Sequence, residues 1–155
     1  MDTTKAELVT RTHMQRVSVL LGEAACEMIR RAGRHDLSKL ERVELEPLQR
    51  MQDVISAEGP APYGSEEYKR RTGMLGPMLA HHYANNSHHP EHYANGVDGM
   101  DLFDLIEMFF DWKAASERGG DSHMHIRAAC ERFNVSPQVE AIFRNTAERL
   151  GYKVE

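Results

Sequence analysis

Apolar side chains recur at three- and four-residue steps along most of this chain, the spacing that lines one face of an α-helix. From Thr3 to Arg31 the positions Leu8, Val9, Val17, Leu20, Leu21, Ala24 and Met28 follow that step between Arg and Glu residues, which predicts an amphipathic helix ending at Gly33. A second helix, capped by Asp36 or Ser38, runs through Leu40, Val43, Leu45, Leu48, Met51 and Ile55, with Pro47 inside it as a point of kinking or division. After the loop GPAPYG, Ser65 starts a third through Met74, Leu75, Met78, Leu79 and His82, kinked at Pro77, and ANNSHHPEHYANGVDG reads as a turn-rich loop. Asp101 and Asp104 have the spacing of an N-terminal cap for the most apolar helix, LFDLIEMFFDWKAASERG, with Gly119 and Gly120 as its stop. A fifth helix covers about His123 to Phe133, and Ser136-Pro137 opens a sixth through Val139, Ile142, Phe143, Ala147 and Leu150 to Gly151. No alternating strand pattern of useful length and no internal repeat is present. The expected fold is all-α, a single helical bundle of five to seven helices over residues 1–155.

Composition narrows the function classes. A chain of 155 residues fits one domain, and 41% hydrophobic with 28% charged residues is a globular balance. The net charge of −5, with no long basic block, disfavours duplex nucleic acid. Cys26 and Cys130 have no CxxC partner, so they are expected as buried small hydrophobes in a reducing compartment. The N-terminal MDTTKAELVTRTHMQRV lacks an apolar signal core, and no run approaches the ~18 residues of a spanning helix. A soluble cytoplasmic protein follows as the expectation. Of the nine methionines, the eight after Met1 lie mostly on apolar helix faces and are read as core filler.

Histidine departs from the ordinary: there are nine, five of them at 81, 82, 88, 89 and 92. His35-Asp36 stands where one helix ends and the next begins, so the pair can ligate one divalent ion or serve merely as helix caps. His13 lies on the apolar stripe of the first helix, as a core residue or as a ligand. Asp111 sits inside the most apolar helix beside Phe109, Phe110 and Trp112, where a carboxylate is costly unless paired or metal-bound.

An inward His, a His-Asp pair, a His-rich segment and a late helical Asp, in that order, resemble the HD-domain metal-dependent phosphohydrolase superfamily. His35-Asp36-Leu37-Ser38-Lys39 is similar to the HDxxK form of its motif, and HHYANNSHHPEHY followed by FFDWKAAS resembles an uncharacterised, phage-rich HD-like family. The resemblance implies His13, His35, Asp36 and Asp111 as core metal ligands. It adds His82 and His89 for a second metal, with His81 and His88 as competitors. The implied cofactor is one or two ions of Mn, Fe, Co, Ni or Zn, which would activate a water for attack on a phosphoester. Lys39 and Arg34 are candidate cations for phosphate oxygens, and Asn85, Asn86 and His88 are candidate substrate contacts. Side chains of the Asn85 and Asn86 type more often cap a helix end. Asp36, Lys39, His82 and Glu107 are the residues expected to carry catalysis, Glu107 by orienting a ligand His or shuttling a proton.

The implied substrate is a small phosphorylated molecule, a nucleotide by analogy with HD-like relatives, and the host cytoplasm is the implied compartment for a phage protein. Homodimerisation is an open expectation. Three alternatives stand beside this one. His82, His88, His89 and His92 could staple the loop around a structural zinc. A mixed-valent diiron centre of HD type would instead do oxygenase chemistry, and a degenerate site would leave a helical interaction protein. No P-loop, GxGxxG, GxSxG or HExxH motif is present.

Overall fold

The computed structural model describes residues 4–62, 65–118 and 123–155. Among these the fold is all-α, with seven α-helices, three short 3-10 helices and one two-stranded sheet. The chain divides into two units, Met1–His35 and Asp36–Glu155. The first is built on one helix, α1 (Lys5–Ala32), opened by Thr4, whose Oγ1 accepts from the Glu7 amide at 3.2 Å, and followed by Gly33. Glu7 pairs with Arg11 and Glu27 with Arg30 along it, exposed pairs of small energetic worth. Cys26, expected as buried, is exposed on this helix.

In the second unit a 3-10 helix (Leu37–Leu40) leads into α2 (Arg42–Glu58). The division expected at Pro47 falls instead at Glu41, which is extended, and α2 runs unbroken through the proline. The carbonyl that Pro47 leaves without its amide belongs to Val43, which is 46% exposed and can turn to water. The expected third helix is two: α3 (Glu66–Gly73), capped by Ser65 accepting from Tyr68 N at 3.1 Å, and α4 (Gly76–Asn85). Pro77 belongs to the first turn of α4, where a missing N–H costs nothing. Buried Arg71 ties α3 to the end of α2 through Gly59 O and Glu58, both at 2.9 Å.

Two further 3-10 helices (Pro90–His92 and Gly96–Gly99) precede α5 (Leu102–Arg118). Its start is a reciprocal cap: Asp101 Oδ1 accepts from Phe103 and Asp104 amides, and Asp104 Oδ2 accepts from the Asp101 amide at 3.1 Å. The stop expected at Gly119 and Gly120 lies outside the described residues. The expected fifth helix is shorter than its pattern, because His123–Met124 forms β1, paired in parallel with β2 (Lys153–Val154), and α6 covers only Ile126–Arg132. Ser136 opens α7 (Pro137–Arg149), and Gly151, with φ at +71°, turns the chain into β2.

The apolar core joins α5, β1, α6 and α7 through Met108, Phe109, Met124, Ile126, Cys130, Phe143 and Ala147. Phe109 and Trp112 each bring their rings to 5.6 Å from Phe143. Met78, Met108 and Met124 are buried as filler, whereas Met14 and Met74 are exposed. No helix among the described residues is long and apolar enough to cross a membrane.

Candidate metal centre

Helix α2 packs on α4, and both pack on the 3-10 helix that follows Asp36. Those three elements bring the first polar group of the site together. Glu44 lies on the same face of α2 as Leu48, Met51 and Ile55, so helical spacing carries it inward, and it is fully buried. His82 is on the last turns of α4, and His88 and His89 follow in the loop before Pro90.

One donor atom from each of Asp36, His82, His88 and His89 lies within 4.8 Å of every other. Asp36 Oδ1 is 3.3 Å from His82 Nε2 and 3.6 Å from His88 Nε2, and His82 Nε2 is 2.9 Å from His89 Nε2. Ligands at ~2.1 Å around a tetrahedral ion stand ~3.4 Å from one another. The three separations straddle that edge length, so the side chains present fit a transition metal with nitrogen-rich ligation.

The nitrogens on the far side of two rings are fixed by carboxylates. His82 Nδ1 donates to Glu44 Oε2 at 2.9 Å, and His88 Nδ1 donates to Glu107 Oε1 at 3.1 Å. A carboxylate only accepts, so the proton of each ring sits on Nδ1 and the lone pair of each Nε2 faces Asp36. Burial also keeps these rings ready to ligate. It pushes the His82 imidazole below its usual value against the opposing pull of Glu44, and it takes His89 down to about 4 with help from His88 and His82. Burial alone would raise the Glu44 carboxyl, but hydrogen bonds from His81, Ser38 and His82 outweigh it and hold the group below its ordinary value.

Asp36 adopts left-handed backbone angles (φ 57°, ψ 17°), a conformation Asp tolerates better than most residues, and its side chain caps no helix. One carboxylate oxygen faces His82 and His88, and the other is paired with Lys39. The i, i+3 spacing of the HDxxK segment is therefore an ion pair within one 3-10 turn.

The remaining candidates separate clearly. Glu107 contacts His88 as an orienting group, and Asp111, one turn later on α5, brings a carboxylate oxygen within 4.8 Å of one of Asp36. His81 turns away from the cluster to Glu44 Oε1 at 2.7 Å, with Glu41 at 3.6 Å. Asn85 donates to His81 O at 2.8 Å, and buried Asn86 donates to His82 O at 2.8 Å and to Ser38 Oγ at 2.7 Å, so both close the end of α4. His92 Nδ1 donates to Tyr83 O at 2.7 Å, and His92 is not a member of the cluster. His13, Arg34 and His35 lie in the unit Met1–His35, and the four-donor cluster is built without them.

Sequence reasoning passed over Glu44 and Ser38. The signal for Glu44 was present in its register with Leu48, Met51 and Ile55, since a charged residue on an apolar stripe needs a buried partner. Ser38 carried no comparable mark.

No curated protein and no solved structure matches the chain. A family model described as a family of unknown function (DUF5662) matches residues 2–149, nearly the whole length, and the chain belongs to that family.

Proposed function

We propose that Asp36, His82, His88 and His89 bind a divalent transition metal and that the protein is a metal-dependent phosphohydrolase acting on a nucleotide or related phosphoester. The observation that carries the reading is the convergence of three imidazole nitrogens and one carboxylate oxygen within 4.8 Å. Such a donor set suits Zn, Fe, Co, Ni or Mn better than the oxygen-seeking Mg or Ca. When bound, the ion supplies Lewis acidity and makes a water acidic enough to act as a nucleophile near neutral pH.

The chain's own residues do the rest. Lys39, held by Asp36, keeps a positive charge beside the place where negative charge grows on the phosphoryl oxygens. Glu44 and Glu107 keep the His82 and His88 rings from turning. In the reaction the water oxygen bonds to phosphorus and the P–O ester bond breaks. Asp111 takes the water's proton, and the departing oxygen is protonated from solvent. A carboxylate such as Asp111, beyond the four donors, is something a closed structural site does not require.

A structural zinc is the second reading, favoured by the burial of two donors, with His82 only 3% and His88 2% exposed. Protein purified without a His-tag, loaded with Zn, Mn, Fe, Co or Ni, and assayed on a panel of nucleotides and phosphodiesters separates the two. Metal-dependent turnover that disappears in Asp36→Ala and falls in Lys39→Ala supports hydrolysis. Retained metal with a raised Tm and no turnover on any member of the panel supports the staple.

A further inference from the structure

The carboxylate of Glu44 bridges two consecutive histidines of α4, and only one of them belongs to the metal cluster. Its Oε2 accepts from His82 Nδ1 at 2.9 Å, its Oε1 accepts from His81 Nδ1 at 2.7 Å, and it is completely buried between α2 and α4. Ser38 Oγ lies 3.4 Å from His82 Nδ1, and Asn86 in turn donates to Ser38 Oγ at 2.7 Å. A group held this firmly on both oxygens cannot rotate away from His82, so the tautomer and ring angle of His82 are set before any ion arrives.

His89 makes a different arrangement. Its Nε2 stands 2.9 Å from His82 Nε2, a spacing that two ligands of one ion can take. The site contains one preset imidazole backed by Glu44 and a second backed by Glu107.

We propose that Glu44 is a positioning residue of the metal site: it presents the Nε2 lone pair of His82 to the ion, and metal affinity depends on its charge and not only on its volume. This inference rests on the metal-binding reading above and deepens it. Carboxylate partners of ligand histidines typically contribute 10- to 100-fold in affinity through ring orientation and basicity.

The test is direct titration of the full chain with Co(II), followed by its visible absorption and by calorimetry, for the wild type, Glu44→Gln and Glu44→Ala. Glutamine keeps the shape and can keep both hydrogen bonds, accepting from His82 and donating to His81, but it carries no charge. The expected result is a Co(II) affinity about 10-fold weaker in Glu44→Gln and about 100-fold weaker in Glu44→Ala. The absorption band should shift in Glu44→Gln while its metal-free helicity is unchanged. Wild-type affinity and an unshifted band in Glu44→Gln, on a wild type that does bind, overturn this inference alone. A wild type that binds no Co(II) overturns the metal site itself and this inference with it. Because Glu44→Ala leaves two imidazoles unsupported and can misfold, the isosteric Glu44→Gln is the deciding variant.

Discussion

Residues 36–93 and residues 100–155 bury opposite kinds of side chain. Among the described residues the later segment buries Met108, Phe109, Met124, Ile126, Cys130, Phe143 and Ala147, with Asp104 and Lys113 as its polar exceptions. The earlier one buries Ser38, Glu44, Arg71, His82, Asn86 and His88, and Met78 and Pro90 are its apolar exceptions. Apolar burial stabilises at about 25 cal/mol per Å² whatever the partner, so the later segment stabilises itself. Buried polar groups stabilise little on balance and cost heavily when a partner is missing, so the earlier segment gains less stability from what it buries. Asp104, whose oxygens accept from Ser87 and Tyr93 hydroxyls at 2.6 Å, links the loop of the first segment to the helix of the second.

The largest effect that sharpens this contrast is expected from Phe109→Ala. Removing the ring that packs on Phe110, Phe143 and Tyr152 should cost about 3–5 kcal/mol, measured by urea unfolding, and by the same amount with or without metal. A cost that depends on metal would break the separation of the two segments. Metal itself comes next. A saturating ion at 100 times its Kd should raise unfolding free energy by about 2.7 kcal/mol, and a chelator should remove that gain. Asp36→Ala should abolish the gain, with a metal-free loss of about 1 kcal/mol because alanine fits the left-handed angles at this position less well, whereas Phe109→Ala should keep it. The smallest effect belongs to Ser136→Ala. Its hydroxyl accepts from Val139 N at 3.4 Å, a long bond, so the loss should be at most about 1 kcal/mol and independent of metal.

The apolar segment was the more legible of the two in the sequence. Its helices announce themselves by period and cap: Asp101 with Asp104, Ser136 with Pro137, and Gly151 all act as their residue types suggest. The sheet did not, because strands of two residues each, paired across about thirty positions, leave no alternation to read. In the polar segment the residue types were visible but not their directions. Neighbours in the doubled pair His81-His82 differ by about 100° around a helix, so an error of one position exchanges partners, and His88-His89 lie in a loop that has no period to read. The structure sends His81 to Glu44 and gathers His82, His88 and His89 around Asp36, a selection that depends on where α4 ends. Pro47 and Pro77 misled in opposite ways: one is absorbed by α2 and the other begins α4.

The measurement closest to the central claim is metal content per chain, by elemental analysis of tag-free protein, for the wild type beside Asp36→Ala and His88→Ala. One or two equivalents of Mn, Fe, Co, Ni or Zn are expected in the wild type, with loss of metal in both variants and helicity unchanged. A wild type that holds no transition metal even after reconstitution, or variants that keep a full complement, would contradict the assignment of these residues as a metal centre.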